Sequence, residues 1–174
     1  MRVTSPAFRG HVRAALADGR LQKALAGTGA GLAARRAAAV AALPEFDQLR
    51  DLGRDIRDHT LAHLDYYLET YAERVERAGG RVHWCADAEA ARRAVLDICR
   101  AAGARTVAKG KSMVTEEIGL NDHLAAHGIR PVETDLGEYI IQLRGEAPSH
   151  IIAPAIHLTR ADWEESFRRA HTDL

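Results

Sequence analysis

Cysteine is nearly absent from this sequence: Cys85 and Cys99 are the only two in 174 residues. Two thiols exclude a disulfide framework, and their spacing fits no zinc or iron–sulfur ligand pattern. An all-cysteine cubane cluster takes four thiolates, which this chain alone does not supply. A charge excess of either sign is also missing. Lys plus Arg (24) equals Asp plus Glu (24), and the pI is about 7.1. That balance speaks against a broad electrostatic grip on nucleic acid or anionic lipid. No apolar run approaches the roughly 18 residues that span a bilayer. Residues 1–10 carry no apolar secretory leader. The expectation is a cytoplasmic protein with no nucleic-acid partner and no membrane span.

What is present suits a folded domain. Hydrophobic residues make up 47% and charged residues 28%, enough apolar material for one core. The first part reads as helix. Residues 10–40 are rich in Ala, Leu and Arg, and Gly27, Gly29 and Gly31 predict a turn between two short helices. Pro44 ends the second. A long helix is predicted over 47–78, with Leu61, Leu64, Leu68, Tyr71, Val75 and Ala78 forming one buried stripe. Gly79 and Gly80 stop it.

The rhythm then changes. Strands are predicted at 82–85, 106–108, 129–133 and 149–153, with Pro131 marking an edge or an end. Helices are predicted between them, capped by Asp87 and closed by Gly103, then over 113–127, closed by Gly128. Thr159 caps a last one, with Asp162 in its first turn. Strands alternating with helices imply a parallel sheet. The fold class is therefore α/β: a helical region at 1–80, then a partial α/β domain at 81–174 with a Rossmann-like parallel sheet of about four strands.

The stretch Lys109-Gly110-Lys111-Ser112-Met113-Val114-Thr115-Glu116 lies where a strand turns into a helix. Ligands of open parallel sheets bind at the carboxyl ends of strands, and helix N-termini attract anions. Lys109 and Lys111 add positive charge and Ser112 a hydroxyl. One reading is a pocket for a carboxylate or phosphate. The other is a capped helix with solvated lysines, for Ser112 with Thr115 or Glu116 makes an ordinary cap. The run is no P-loop, because Arg105 stands where its first glycine belongs. Glu133-Thr134-Asp135-Leu136-Gly137-Glu138 follows the next strand and faces the same sheet edge. Its carboxylates serve as acid or base or pair with the lysines; equally, Asp135 caps a helix with Glu138 as its third residue. His59 with His63, and His123 with His127, sit at helical spacing, without the glutamate of a zinc-protease motif. No metal site is expected from them. His157 is a candidate on a third wall. The candidate ligand-binding set is Lys109, Lys111, Ser112, Thr115, Glu116, Asp135 and Glu138, and no catalytic residue is assigned.

Several long blocks resemble the bacterial lactate utilization protein B family. They are Asp58-His59-Thr60-Leu61-Ala62-His63-Leu64-Asp65, Gly80-Arg81-Val82-His83-Trp84, Lys111-Ser112-Met113-Val114-Thr115-Glu116-Glu117-Ile118-Gly119-Leu120-Asn121, Glu133-Thr134-Asp135-Leu136-Gly137-Glu138-Tyr139-Ile140 and Ser149-His150-Ile151-Ile152-Ala153-Pro154-Ala155-Ile156-His157. The resemblance runs from about residue 36 to the end. It implies the N-terminal part of a lactate-utilization (LUD) domain, similar to the sugar-isomerase and CoA-transferase superfamily. It also implies a cytoplasmic, iron–sulfur-dependent system that oxidises L-lactate to pyruvate. Family members of full length are expected to bind two [4Fe–4S] clusters and to work with two partners, the A-type and C-type lactate-utilization proteins. The cluster-ligand cysteines are not in this chain, so a cluster-free piece with a binding or assembly role is expected. Two alternatives stand beside it: a freestanding isomerase- or CoA-transferase-like enzyme on a small anionic substrate, and a truncated product without function.

Overall fold

The computed structural model describes residues 5–150 and 152–172. They divide into two compact units. One joins Met1–Gly29 to Cys85–Leu174, and the other is Ala30–Trp84.

A 3-10 turn at Ser5–Ala7 leads into α1 (Phe8–Ala17), and α2 (Gly19–Ala41) follows after one residue. The break falls at Asp18 and not at the glycines. The Asp18 carboxylate accepts the Arg20 and Leu21 N–H groups at 2.9 and 3.1 Å, starting a new helix there. Gly29 and Gly31 lie inside α2, where the surrounding Ala and Leu outweigh a cost of about 1 kcal/mol per glycine.

In the Ala30–Trp84 unit the predicted long helix is two: α3 (Phe46–Ala62) and α4 (Leu64–Arg77), offset at His63, whose φ is −125°. Neither has a buried residue, and the expected buried stripe is on the surface. Leu61 and Tyr71 are 67% and 62% exposed, and Leu64 and Leu68 are exposed too. The periodicity was set by the sequence, but a stripe is buried only where something covers it.

The other unit holds the sheet. Residues 82–85 are irregular and not a strand. α5 (Ala88–Ala101) begins at Asp87, whose carboxylate accepts Ala90 N–H at 2.7 Å. β1 (Thr106–Lys109) follows, then α6 (Met113–Glu117) and α7 (Leu120–Ala126), separated by Gly119 at φ +65°. A left-handed residue cannot continue a helix, so the single helix expected over 113–127 is broken there. β2 (Arg130–Glu133) pairs in parallel with β1, Lys109 standing opposite Glu133. α8 (Leu136–Arg144) and α9 (Arg160–Ala170) complete the unit.

The architecture is thus a helical region followed by parallel strands, but the sheet has two strands among the described residues, not about four. The fourth strand was expected at 149–153, of which residue 151 lies outside the described residues. The rest of it is bent or irregular for a visible reason. Ser149 N–H and hydroxyl both bond the Pro154 carbonyl, and His150 Nδ1 accepts the Ile152 and Ala153 N–H groups. Local side-chain bonds take the backbone groups that a ladder would need.

Two small cores flank the strand ends. Leu96 and Cys99 of α5 pack with Leu120, Leu124 and Ile129. Ile140 and Ile141 of α8 pack with Ala155, with Leu158, Trp163 and Phe167 against them. α9 starts on a reciprocal cap: Thr159 Oγ1 accepts Asp162 N–H, and Asp162 accepts from Thr159. The side-chain and backbone bonds from Thr159 hold the Asp162 carboxyl below the usual range.

Candidate functional site

Register builds the site. Lys109 ends β1 and Glu133 ends β2, and pairing sets them side by side at the carboxyl edge of the sheet. Both are buried. Lys109 Nζ meets Glu133 Oε1 at 2.7 Å, donates to Thr115 Oγ1 at 2.9 Å, and lies 3.6 Å from Glu116 Oε1. Asn121, at the start of α7, donates its Nδ2 to the same Glu133 oxygen at 2.7 Å. Gln142 of α8 accepts Glu133 N–H at 3.1 Å and donates to the Pro131 carbonyl at 2.9 Å, locking β2 to α8.

Glu138 enters from α8. Burial, then the hydrogen bond and charge of the adjoining Glu133, push its carboxyl above the usual carboxylate range; Lys111 and Lys109 offset only part of this. The second oxygens of Glu133 and Glu138 are both buried without a hydrogen-bond partner among the described residues. Lys111 is partly exposed. Its Nζ donates to the Ile152 carbonyl at 2.9 Å and lies 3.9 Å from Glu138. Lys109 is closely paired with Glu133 at 2.7 Å, whereas Lys111 stands at 3.9 Å from a carboxyl that burial pushes toward its neutral form. The more loosely paired positive charge of the site is at Lys111.

The structure brings together Lys109, Thr115 and Glu116 in one network, and Lys111 with Glu138 beside it. Ser112 and Asp135 serve the backbone instead. Ser112 Oγ accepts Thr115 N–H at 3.3 Å and Asp135 Oδ1 accepts Glu138 N–H at 3.2 Å, capping α6 and α8. Glu133, the first carboxylate of the acidic run expected to pair with the lysines, does pair with Lys109, while Asn121 and Gln142 complete the network although helix and motif spacing singles out neither. For Glu133 the signal was available: it is the last residue of a strand parallel to the one Lys109 ends. Gly137 matters sterically, because a Cβ there would stand 3.0 Å from Pro154 Cγ. The histidine pairs lie elsewhere, with ring centroids 4.6 Å apart for His59 and His63 and 4.5 Å for His123 and His127. Burial and the His127 charge hold His123 below the ordinary imidazole range.

The family model of the LUD domain matches residues 68–174, which include every member of this network. The chain belongs to the LUD domain family. Among curated proteins, the LUD chain is 41% identical over 169 residues to lactate utilization protein B of Macrococcus caseolyticus, covering 97% of this chain and 35% of that one. It is 38% identical over 168 residues to the protein of the same name from Bacillus thuringiensis, covering 97% and 36%. It is 42% identical over 153 residues to an uncharacterized electron transport protein, YkgF, of Escherichia coli, covering 88% and 32%. The chain thus spans about a third of the length of these relatives. No solved structure matches it significantly.

The donors of this LUD chain do not fit an iron–sulfur cluster. Cys85 is exposed, Cys99 is buried in the α5–α7 core, and two thiolates are half the number a [4Fe–4S] cube takes. Among the described residues no three His, Cys, Asp or Glu side chains are grouped to hold a metal. No described helix is long and apolar enough to cross a membrane.

Proposed function

We propose that this LUD chain serves a lactate-utilization system that oxidises L-lactate to pyruvate, and that its own part is to bind a small 2-hydroxy or 2-oxo carboxylate. The observation that carries the reading is the meeting of Lys111 and Glu138 at the sheet edge. Lys111, partly exposed and 3.9 Å from Glu138, offers a positive charge to a carboxylate, and burial pushes the Glu138 carboxyl toward the protonated form that donates to a neighbouring oxygen. Thr115 and Glu116 of α6 hold Lys109 beside the site, and the caps at Ser112 and Asp135 start the two helices that border it.

The names of the relatives, lactate utilization protein B and an electron transport protein, support the system-level part. On this reading the A-type and C-type lactate-utilization proteins are partners in the cytoplasm. On the same reading the two [4Fe–4S] clusters are held outside this chain, whose own contribution is binding and assembly.

Calorimetric titration with L-lactate, pyruvate and phosphate tests the site. Saturation at a hundredfold excess over Kd raises stability by about 2.7 kcal/mol. Binding should be lost in Lys111→Ala with the melting curve kept. Absence of binding by all three anions, or unchanged affinity in a folded Lys111→Ala protein, would sink the site reading.

A further inference from the structure

Between α8 and α9 runs a stretch that the lactate reading leaves unused. Ser149 Oγ lies 2.8 Å from His157 Nδ1, and His157 Nε2 lies 2.9 Å from Glu146 Oε2. Arg144 Nε holds the other Glu146 oxygen at 2.7 Å. Burial opposes the Glu146 charge, but the hydrogen bonds from His157 and Arg144 outweigh it and hold the carboxyl below the usual range. A carboxylate only accepts, so His157 carries a proton on Nε2. In the neutral ring Nδ1 is then bare and accepts the Ser149 hydroxyl. The Pro154 carbonyl, also 2.8 Å from Ser149 Oγ, is a second acceptor for that hydroxyl. A hydroxyl, a base and a carboxylate that orients the base stand in line.

His150 is fixed by different bonds. Its Nδ1 accepts the N–H groups of Ile152 and Ala153, each at 3.1 Å. That nitrogen is unprotonated, so the neutral ring carries its proton on Nε2, a donor suited to a carbonyl oxygen. Ser149, His150 and His157 line one side of a cleft of about 560 Å³, and Leu21, Leu25 and Ile156 form its apolar wall. All six belong to the same unit. No Lys or Arg lines it, which distinguishes it from the Lys111 site.

We propose that this cleft hydrolyses a neutral ester with a short aliphatic acyl group, Ser149 acting as nucleophile, His157 as general base and acid, His150 as donor to the carbonyl oxygen, and Glu146 as positioning residue. Ser149 Oγ bonds to the carbonyl carbon while its proton passes to His157 Nδ1. The carbonyl π pair moves onto oxygen beside His150. The carbon–oxygen bond to the alcohol then breaks, and the alcohol leaves with the proton from His157. Water adds to the acyl-serine, giving its proton to His157, and collapse releases the carboxylic acid and returns a proton to Ser149. Water is the only co-reactant.

The full chain should cleave p-nitrophenyl butyrate and take one fluorophosphonate adduct, located at Ser149 by mass spectrometry and absent in Ser149→Ala. His157→Gln should slow both reactions about 100-fold or more. Glu146→Gln should lower kcat with KM unchanged, and Glu146→Asp should restore part of it. An unlabelled Ser149 in the folded protein, or equal labelling rates with and without His157, would overturn the proposal. The same bonds pin the stretch to Pro154, so Ser149→Ala can also weaken the fold. Ser149→Cys preserves the contact: its thiol should be alkylated by iodoacetamide faster with His157 than in the Ser149→Cys/His157→Gln protein, and equal rates would also refute the idea. L-lactate titration of Ser149→Ala is unaffected on this account, so the two readings fail separately.

Discussion

Lys109→Met removes the charge that Glu133 was buried against while keeping most of the side-chain volume. The pair is 2.7 Å apart, and the two side chains are 9% and 3% exposed. At that separation and an effective dielectric of about 20, the Coulomb attraction is about 6 kcal/mol, most of it offset by the cost of taking both ions out of water. What the variant exposes is the uncompensated cost: a carboxylate left in a dry site with only Asn121 donating to it from a side chain. Breaking a buried pair in this way costs about 3–5 kcal/mol. At roughly 2–4 °C per kcal/mol for a chain of this size, the melting temperature should fall by about 6–20 °C. Urea unfolding at pH 7, followed by circular dichroism, measures the loss. The Lys109→Met/Glu133→Gln protein should recover most of it, because the neutral amide has no charge to desolvate. If Lys109→Met stays within 1 kcal/mol of the parent, or the double variant is as weak as the sum of the singles, the buried pair does not organise the strand ends and the site built on it falls.

Glu138 gives a pH signature of the opposite sense to an ordinary ion pair. Its folded carboxyl is raised above the unfolded value near 4.5, so its favourable contribution is full below that value and is lost as pH rises through the folded value. Glu138→Gln should therefore gain stability over the parent as pH rises from 4.5 to 7 in thermal melts; a difference independent of pH would contradict the upward shift of the Glu138 carboxyl. Leu124→Ala empties a fully buried position between α5 and β2 and should cost about 2–5 kcal/mol by urea unfolding, without altering anion titrations. A loss below 1 kcal/mol there would mean that this core is not the support of the sheet edge.

Much of the local structure is legible in the residues. Asp87, Ser112, Asp135 and Thr159 cap helices where their spacing predicts it, and Gly103 and Gly128 take positive φ just after α5 and α7. Each of these depends on bonds reaching three or four residues. The misread positions were decided over longer range or by competing local bonds. His63 and Gly119 interrupt periodic patterns that look continuous. The strand expected at 149–153 lost its backbone donors to Pro154 and His150. The stripe on α4 has the right period and no cover.

The site divides the same way. That Lys109, Lys111 and the acidic run at 133–138 share the carboxyl edge of a parallel sheet follows from strands alternating with helices. That Lys109 should meet Glu133, with Asn121 donating to the same carboxylate, follows only from the parallel register and from α7 and α8 closing over the strand ends. The sequence by itself determined the caps, the turns and the α/β alternation, because those are near-neighbour chemistry. The tertiary structure alone decided which charges are paired and which carboxyl is pushed up, because burial and approach across 23 residues of intervening chain set the cost of each charge.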